Sequence, residues 1–289
     1  MTEEKAKEII KAIEEINLED DDAYSRIEIL LKSKLGSFGT FAFDLSYHPD
    51  LFYCRARIMD NVDDYFNTIS DHSYNPKPKY IDIGRANKAH QQIFYLGRTR
   101  PTSLAEVNII ENQIDKTVVS YGISRWQPIK PLKIVALVDL ESMDKLEADE
   151  IKDFVQFVKS QIPELSRGEN SGYLTLYKYI GKRFRELITK DEKYKYKFTC
   201  AFANMIYDSN PNINGIMYQS VKLPEFYNLA IRKEMVDEYY FRPTHFVKNK
   251  FERENVIELT EIERHETYKF DESKNELTWE GLPVTIDKK

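Results

Sequence analysis

The sequence predicts an α+β protein with a mixed β core, on three observations. Amphipathic helical patterns open the chain and recur in its middle. Strand-like runs lie on both sides of them. The two kinds of segment do not alternate in the βαβ rhythm of a doubly wound sheet. At 289 residues, 42% of them apolar, the chain is long enough for one large domain or for a core with an appendage.

Residues 3–16 place Ile9, Ile10, Ile13 and Ile16 on one face of a helix, with Glu and Lys over the rest. The acidic stretch Glu19-Asp20-Asp21-Asp22 follows. Asp22 is suited to cap a second helix carrying Ile27, Leu30 and Leu31, since a carboxylate accepts the first free N–H groups. Leu35-Gly36-Ser37-Phe38-Gly39 breaks the pattern, which makes residues 1–40 an N-terminal helical appendage to a domain spanning 41–289. Leu51 to Ile58 is strand-like. After a polar stretch with Pro76 and Pro78 come a polar turn (Gly84-Arg85-Ala86-Asn87), a short buried strand (Ile93-Phe94-Tyr95-Leu96) and a second turn. The helix that follows presents Leu104, Val107, Ile110 and Ile114 on its apolar face, with Glu106 on the flank. Ile134 to Leu140 is a near-continuous apolar run and reads as a buried strand. Residues 143–162 and about 171–190 read as helices, while Tyr194 to Tyr207 fits either type. Asn214-Gly215 is a turn signal launching a strand over 216–221, and the tail from about Phe246 alternates as β structure does.

Composition excludes several functions. Charged residues make up 31% of the chain, and no run approaches the roughly 18–20 apolar residues that span a bilayer. Met1-Thr2-Glu3-Glu4-Lys5 lacks the pattern of a secretory signal, so a cytoplasmic protein is expected. The net charge is −6 and basic residues are interspersed with acids, which disfavours direct nucleic-acid binding. Cys54 and Cys200 read as buried thiols, too few for a disulfide scaffold. The five histidines form no metal-ligand pair, no Ser-His-Asp or Cys-His spacing is recognisable, and no metal is expected.

Three segments call for one explanation: Phe52-Tyr53-Cys54-Arg55-Ala56-Arg57-Ile58; Gly84-Arg85-Ala86-Asn87 through Tyr95 to Glu106-Val107; and Asn214-Gly215-Ile216-Met217-Tyr218-Gln219-Ser220, with Tyr227-Asn228-Leu229-Ala230 behind it. Their order and content resemble the RES-domain family, bacterial toxins that destroy NAD⁺ on a core similar to that of ADP-ribosyltransferases. The resemblance is strongest over residues 50–235. It implies Arg55, Tyr95, Glu106 and Ser220 as catalytic residues, with Arg57 as a competing register for the family Arg, and Arg57, Arg85 and Asn87 as substrate-binding residues. NAD⁺ would be substrate rather than cofactor, with phosphate or water as acceptor. The partner implied is a small antitoxin covering the active site. Homo-oligomerisation stays open.

Local readings compete at each of these positions. Ser103-Leu104-Ala105-Glu106 fits an S-x-x-E capping box, in which Glu106 returns a hydrogen bond to the helix start. Tyr95 and Ser220 fit ordinary core and strand residues. Arg55 and Arg57, two apart on one strand, share a face, which suits joint ligand contact or a surface ion pair. Arg85 and His90 match the R-x4-H spacing of helical ribonucleases, although a strand rather than a helix is expected there. The functions left in play are NAD⁺ cleavage, ADP-ribosylation of a protein, nucleotide sensing by an inactive module, and RNA cleavage.

Overall fold

Helices α1 (Glu3–Glu14) and α2 (Ala23–Leu35) open the chain, each turning a narrow apolar stripe inward: Ala6, Ile9 and Ile13 from one, Ala23, Ile27, Leu31 and Leu35 from the other. The computed structural model describes residues 1–35, 41–46, 48–58, 67–110, 118–253, 259–279 and 284–285. The expected break at Gly36 to Gly39 and the apolar position Ile114 fall outside those residues.

The remaining elements are β1 (Ala42–Leu45), β2 (Tyr53–Ile58), β3 (Ile93–Gly97), α3 (Arg100–Ile110), β4 (Val118–Pro128), β5 (Leu132–Leu137), α4 (Lys152–Leu165), α5 (Ser171–Phe184) and α6 (Tyr196–Ser209). They continue with β6 (Gly215–Gln219), β7 (Tyr227–Arg232), α7 (Lys233–Asp237), β8 (Phe241–Arg253), β9 (Leu259–Thr267), β10 (Phe270–Asp271), β11 (Glu276–Leu277) and β12 (Val284–Thr285). Among the described residues, ten strands form one sheet in the order β1-β5-β6-β7-β3-β2-β4-β8-β9-β12. Among the described residues, only β5 and β6 run parallel, and the crossover between them carries α4, α5 and α6. The fold is the expected α+β type with N-terminal helices. Among the described residues, no helix is long and apolar enough to cross a membrane.

Both faces of the central strands are covered, which explains the apolar run at 134–140. Val135 and Leu137 face one core with Ile216, Tyr218 and Ala230, under α1, α2, α5 and α6. Ile134, Ala136 and Val138 face a second core with Met217, Leu229, Ile231 and the α4 residues Phe154, Val155 and Val158. Successive strand residues alternate between the two cores, as the pleat requires. The N-terminal helices belong to the first core, α1 lying on α5 and α2 on α6.

Three expectations shift, each for a local reason. The helix expected over 143–162 starts only at Lys152, because Leu146 and Ala148 are extended and the Glu147 N–H bonds the Glu225 carbonyl at 3.1 Å. Helix α5 stops at Phe184 rather than 190, where the Arg85 side chain takes the carbonyls of Phe184 and Glu186. The ambiguous segment after Tyr194 resolves as α6, buried on nearly every side.

One feature places the functional cavity. Strand β2 pairs with β4 along its whole length and β3 with β7 along its whole length, yet β2 and β3 meet only at Cys54 and Gly97. The sheet therefore splits between them.

Ile27 is fully buried between α2 and the first core. Ile27→Ala is expected to lower unfolding free energy by about 2–5 kcal/mol. Urea denaturation reads the change; a loss near zero would mean that the N-terminal helices are energetically separable from the sheet.

Candidate active site

Helix α3 carries the central acid, and its start decides what that acid does. The Thr99 hydroxyl accepts the Thr102 N–H at 3.2 Å, and its carbonyl accepts the Ser103 N–H at 3.1 Å, so Thr99 is the cap. Ser103 lies a full turn inside the helix and donates its hydroxyl to the Cys54 carbonyl of β2 at 2.7 Å. The capping-box reading of Glu106 is thereby overturned: Glu106 is seven residues beyond the cap, too far to return a bond to it. Gly97 permits the close approach, since a Cβ there would stand 2.6 Å from the Ser103 hydroxyl oxygen. Leu104 and Val107 pack beneath the helix against Ala56, Tyr121 and Ile123, and Glu106 is left facing the split.

Two donors hold one oxygen of Glu106. Ser220, at the end of β6, donates its hydroxyl to Oε1 at 2.8 Å, and Asn228 of β7 donates Nδ2 to the same oxygen at 2.8 Å. Oε2 has no partner among the described residues, and Glu106 lines the cavity. Ser220 is fully buried and reaches the acid from behind the cavity wall. The carboxylate is thus fixed in rotation with one oxygen available.

The cavity has a volume of about 330 Å³, at the low end of the roughly 300–1,000 Å³ typical of ligand sites. Tyr95, Tyr196 and Tyr218 form aromatic walls; Arg55, Arg85, Lys190 and Lys193 line it against only two acids, Asp82 and Glu106. In a chain of net charge −6, that excess of cations marks a site for an anionic ligand.

The other expected residues fall into distinct positions. Arg55 donates one terminal nitrogen to the Tyr95 carbonyl at 3.1 Å across the split, stacks over Phe94, and keeps a buried Nε with no partner. Burial, then the like charge of Arg57, brings its guanidinium down to about 9, still protonated at neutral pH. Arg57 does not line the cavity; its side chain donates to the Asp71 carbonyl at 2.5 Å. Arg85 lines the cavity, but its terminal nitrogens cap the end of α5, bonding the carbonyls of Phe184 at 2.5 Å and Glu186 at 3.0 Å. Its guanidinium carbon lies 5.4 and 5.7 Å from the ring centroids of Tyr196 and Tyr218.

Tyr95 and Asn87 build the Gly84 to Asn87 turn. The Tyr95 hydroxyl accepts the Ala86 N–H at 2.9 Å and donates to Asn87 Oδ1 at 2.8 Å, while Asn87 Nδ2 donates to the carbonyls of Asp82 and Lys88, each at 2.8 Å. A Cβ on Gly84 would stand 2.4 Å from Asn87 Oδ1, so glycine is required there. Burial raises the Tyr95 hydroxyl far above its usual range, which keeps it neutral. His90 is exposed, bonds the Pro78 carbonyl at 3.1 Å and does not line the cavity, so Arg85 and His90 are not a working pair. Cys200 is buried as expected, whereas Cys54 is half-buried and lines the cavity; burial pushes the two thiols up to about 12 and about 11.

The RES-domain family model matches residues 56–242, more than half of the chain. The chain belongs to the RES-domain family. No curated protein matches it. The RES match begins at Ala56, one residue after Arg55, and ends at Arg242, so the long β8–β9 ribbon runs beyond it. RES domains are associated with NAD-acting enzymes, which accords with a cavity built for an anion beside an oriented carboxylate.

Asn228 is the site residue that sequence reasoning passed over. Its only signal is its place, as the cross-strand partner of Tyr218, two residues before Ser220 across the β6–β7 hairpin.

Tyr95→Phe should leave the Ala86 N–H and Asn87 Oδ1 without a partner and lower stability by about 1–3 kcal/mol. Guanidinium denaturation measures it. An unchanged midpoint would show that the turn does not depend on this hydroxyl.

Proposed function

We propose that this RES protein cleaves the nicotinamide–ribose bond of NAD⁺, passing ADP-ribose to phosphate or water, as the toxin of a toxin–antitoxin pair. The observation that carries the reading is the Glu106 carboxylate, held on Oε1 by Ser220 and Asn228 and open on Oε2 to a cation-lined cavity.

The chemistry follows from that arrangement. As the bond breaks, nicotinamide leaves neutral and positive charge grows on the ribose, so no strong general acid is needed. Glu106, already fixed, stabilises that charge or holds a ribose hydroxyl with no reorganisation during the step. Arg55, which lines the cavity beside the split, is the residue to take the pyrophosphate, a role for which a guanidinium fork is better suited than an ammonium. Tyr95 shapes the pocket rather than moving a proton, since its hydroxyl is already engaged at both ends. Arg85 supports the wall through the end of α5. Lys190, exposed at the cavity mouth, and Lys193, paired with Asp82 at 2.9 Å, add attraction for the outer part of a dinucleotide. An antitoxin segment that covers this mouth would silence the enzyme by excluding NAD⁺.

Nicotinamide release from NAD⁺, followed with and without phosphate, tests the reading. Release is expected from the wild-type chain, and a phosphate requirement would select phosphorolysis over hydrolysis. Glu106→Gln should lower the rate roughly 100- to 1000-fold with an unchanged melting temperature. No release by the wild-type protein under either condition would remove the proposal.

Lys190→Ala should raise the KM for NAD⁺ a few-fold and weaken its salt dependence, with kcat unchanged. An unaltered KM would place the dinucleotide away from that rim.

A further inference from the structure

The two donors that hold Glu106 share a feature on the opposite side of the sheet. Ser220 directly follows Gln219, and Asn228 directly follows Tyr227. Gln219 and Tyr227 are cross-strand partners in the β6–β7 ladder. Their side chains point away from the cavity, since strand neighbours face opposite sides. Each is anchored there to the same stretch of chain, the start of the crossover between β5 and α4. Gln219 Oε1 accepts the Ser142 hydroxyl at 2.7 Å, and its Nε2 donates to the carbonyls of Ser142 at 3.2 Å and Pro224 at 2.6 Å. Tyr227 donates its hydroxyl to Glu150 Oε1 at 2.6 Å and, its one proton thus committed, accepts from Tyr53 at 2.9 Å. Arg98 grips both oxygens of Glu150 and its backbone N–H bonds the Tyr227 carbonyl at 3.0 Å. Gln219 and Tyr227 are buried to within 1% of complete exclusion from solvent.

We propose that Ser142 and Glu150 are positioning residues for the active site. Acting through Gln219 and Tyr227, they fix the β6–β7 hairpin so that Ser220 and Asn228 both meet Glu106 Oε1. The geometry favours this over simple core packing. A core needs apolar volume at these positions, whereas here buried polar groups are bonded in register with the two donors. Each anchored residue is offset from its donor by one position. Loss of either anchor lets its strand end shift by a fraction of a hydrogen-bond length, which the carboxylate contact does not tolerate. The catalytic consequence rests on the proposed cleavage of NAD⁺; the placement of the donors does not.

The test uses Tyr227→Phe and Ser142→Ala, which remove the two anchoring hydroxyls without changing shape. Each is expected to lower kcat for nicotinamide release roughly 10- to 100-fold, the cost of a small misplacement, with KM within twofold. In an Asn228→Ala background Tyr227→Phe should cost nothing further, and in a Ser220→Ala background Ser142→Ala should cost nothing further, because each anchor acts through its donor. Losses that multiply in full, or a fall in melting temperature with kcat intact, would reduce the anchors to structural contacts. A readout independent of turnover accompanies the kinetics: the Asn228 side-chain amide resonances, assigned by Asn228→Ala, should move in Tyr227→Phe. Resonances that stay in place would overturn the brace whatever the kinetics. Resonances that move in a protein whose wild type releases no nicotinamide would keep the brace and reject the NAD⁺ reading instead.

Discussion

Everything at the cavity depends on one gap in a hydrogen-bond ladder. Strands β2 and β3 lie side by side in the sheet but pair only at Cys54 and Gly97. At that single point the chain concentrates its local contacts. Ser103 ties α3 to the Cys54 carbonyl, Gly97 lets the helix approach, and Arg55 bridges the opening to the Tyr95 carbonyl. A continuous ladder here would close the cavity. A wider split would leave Glu106 without the strands that orient it. The lone pair of residues fixes the hinge of the opening, and the helix, the acid and the cation inherit their places from it.

The electrostatics follow from the same geometry. A half-buried carboxylate is costly unless its oxygens are satisfied. Glu106 satisfies one through two neutral donors, Ser220 and Asn228, and lines the cavity. Among the described residues its oxygens accept from no cation, so there the cavity's positive charge is not consumed by an internal ion pair with the acid. Arg85 shows the alternative outcome. Its two terminal nitrogens are bonded to the end of α5 and its guanidinium lies against two tyrosine rings, which ties it into the wall.

Much of this was legible in the chain. The Gly84 to Asn87 turn, the Tyr95 strand, Glu106 and Ser220 were readable because each has a local pattern and their order is that of the family. What was not legible depends on distant chain. The helix start differs from the sequence reading because Ser103 has the S-x-x-E pattern and Thr99, the actual cap, does not; only the tie to Cys54 shows that Ser103 is inside the helix. Arg55 and Arg57 are equivalent on an ideal strand; the split beside β3 separates them. The bonds of Arg85 to the end of α5 had no local sign, because its partners lie about a hundred residues away, at Phe184 and Glu186. Asn228 stands in a quoted segment with nothing local to mark a role, since that role arises only when β6 and β7 pair. The long stretch between Asp139 and Asn214, featureless as a motif, turns out to supply the α5 end, the Lys190 rim and the far-side anchors at Ser142 and Glu150.

The most direct measurement is a crystal structure of the protein with a non-cleavable NAD⁺ analogue bound. The nicotinamide-side ribose is expected within hydrogen-bond distance of Glu106 Oε2, with Oε1 still held by Ser220 and Asn228 and a pyrophosphate oxygen on Arg55. A ligand seated elsewhere, or one that leaves Oε2 without contact, would contradict it.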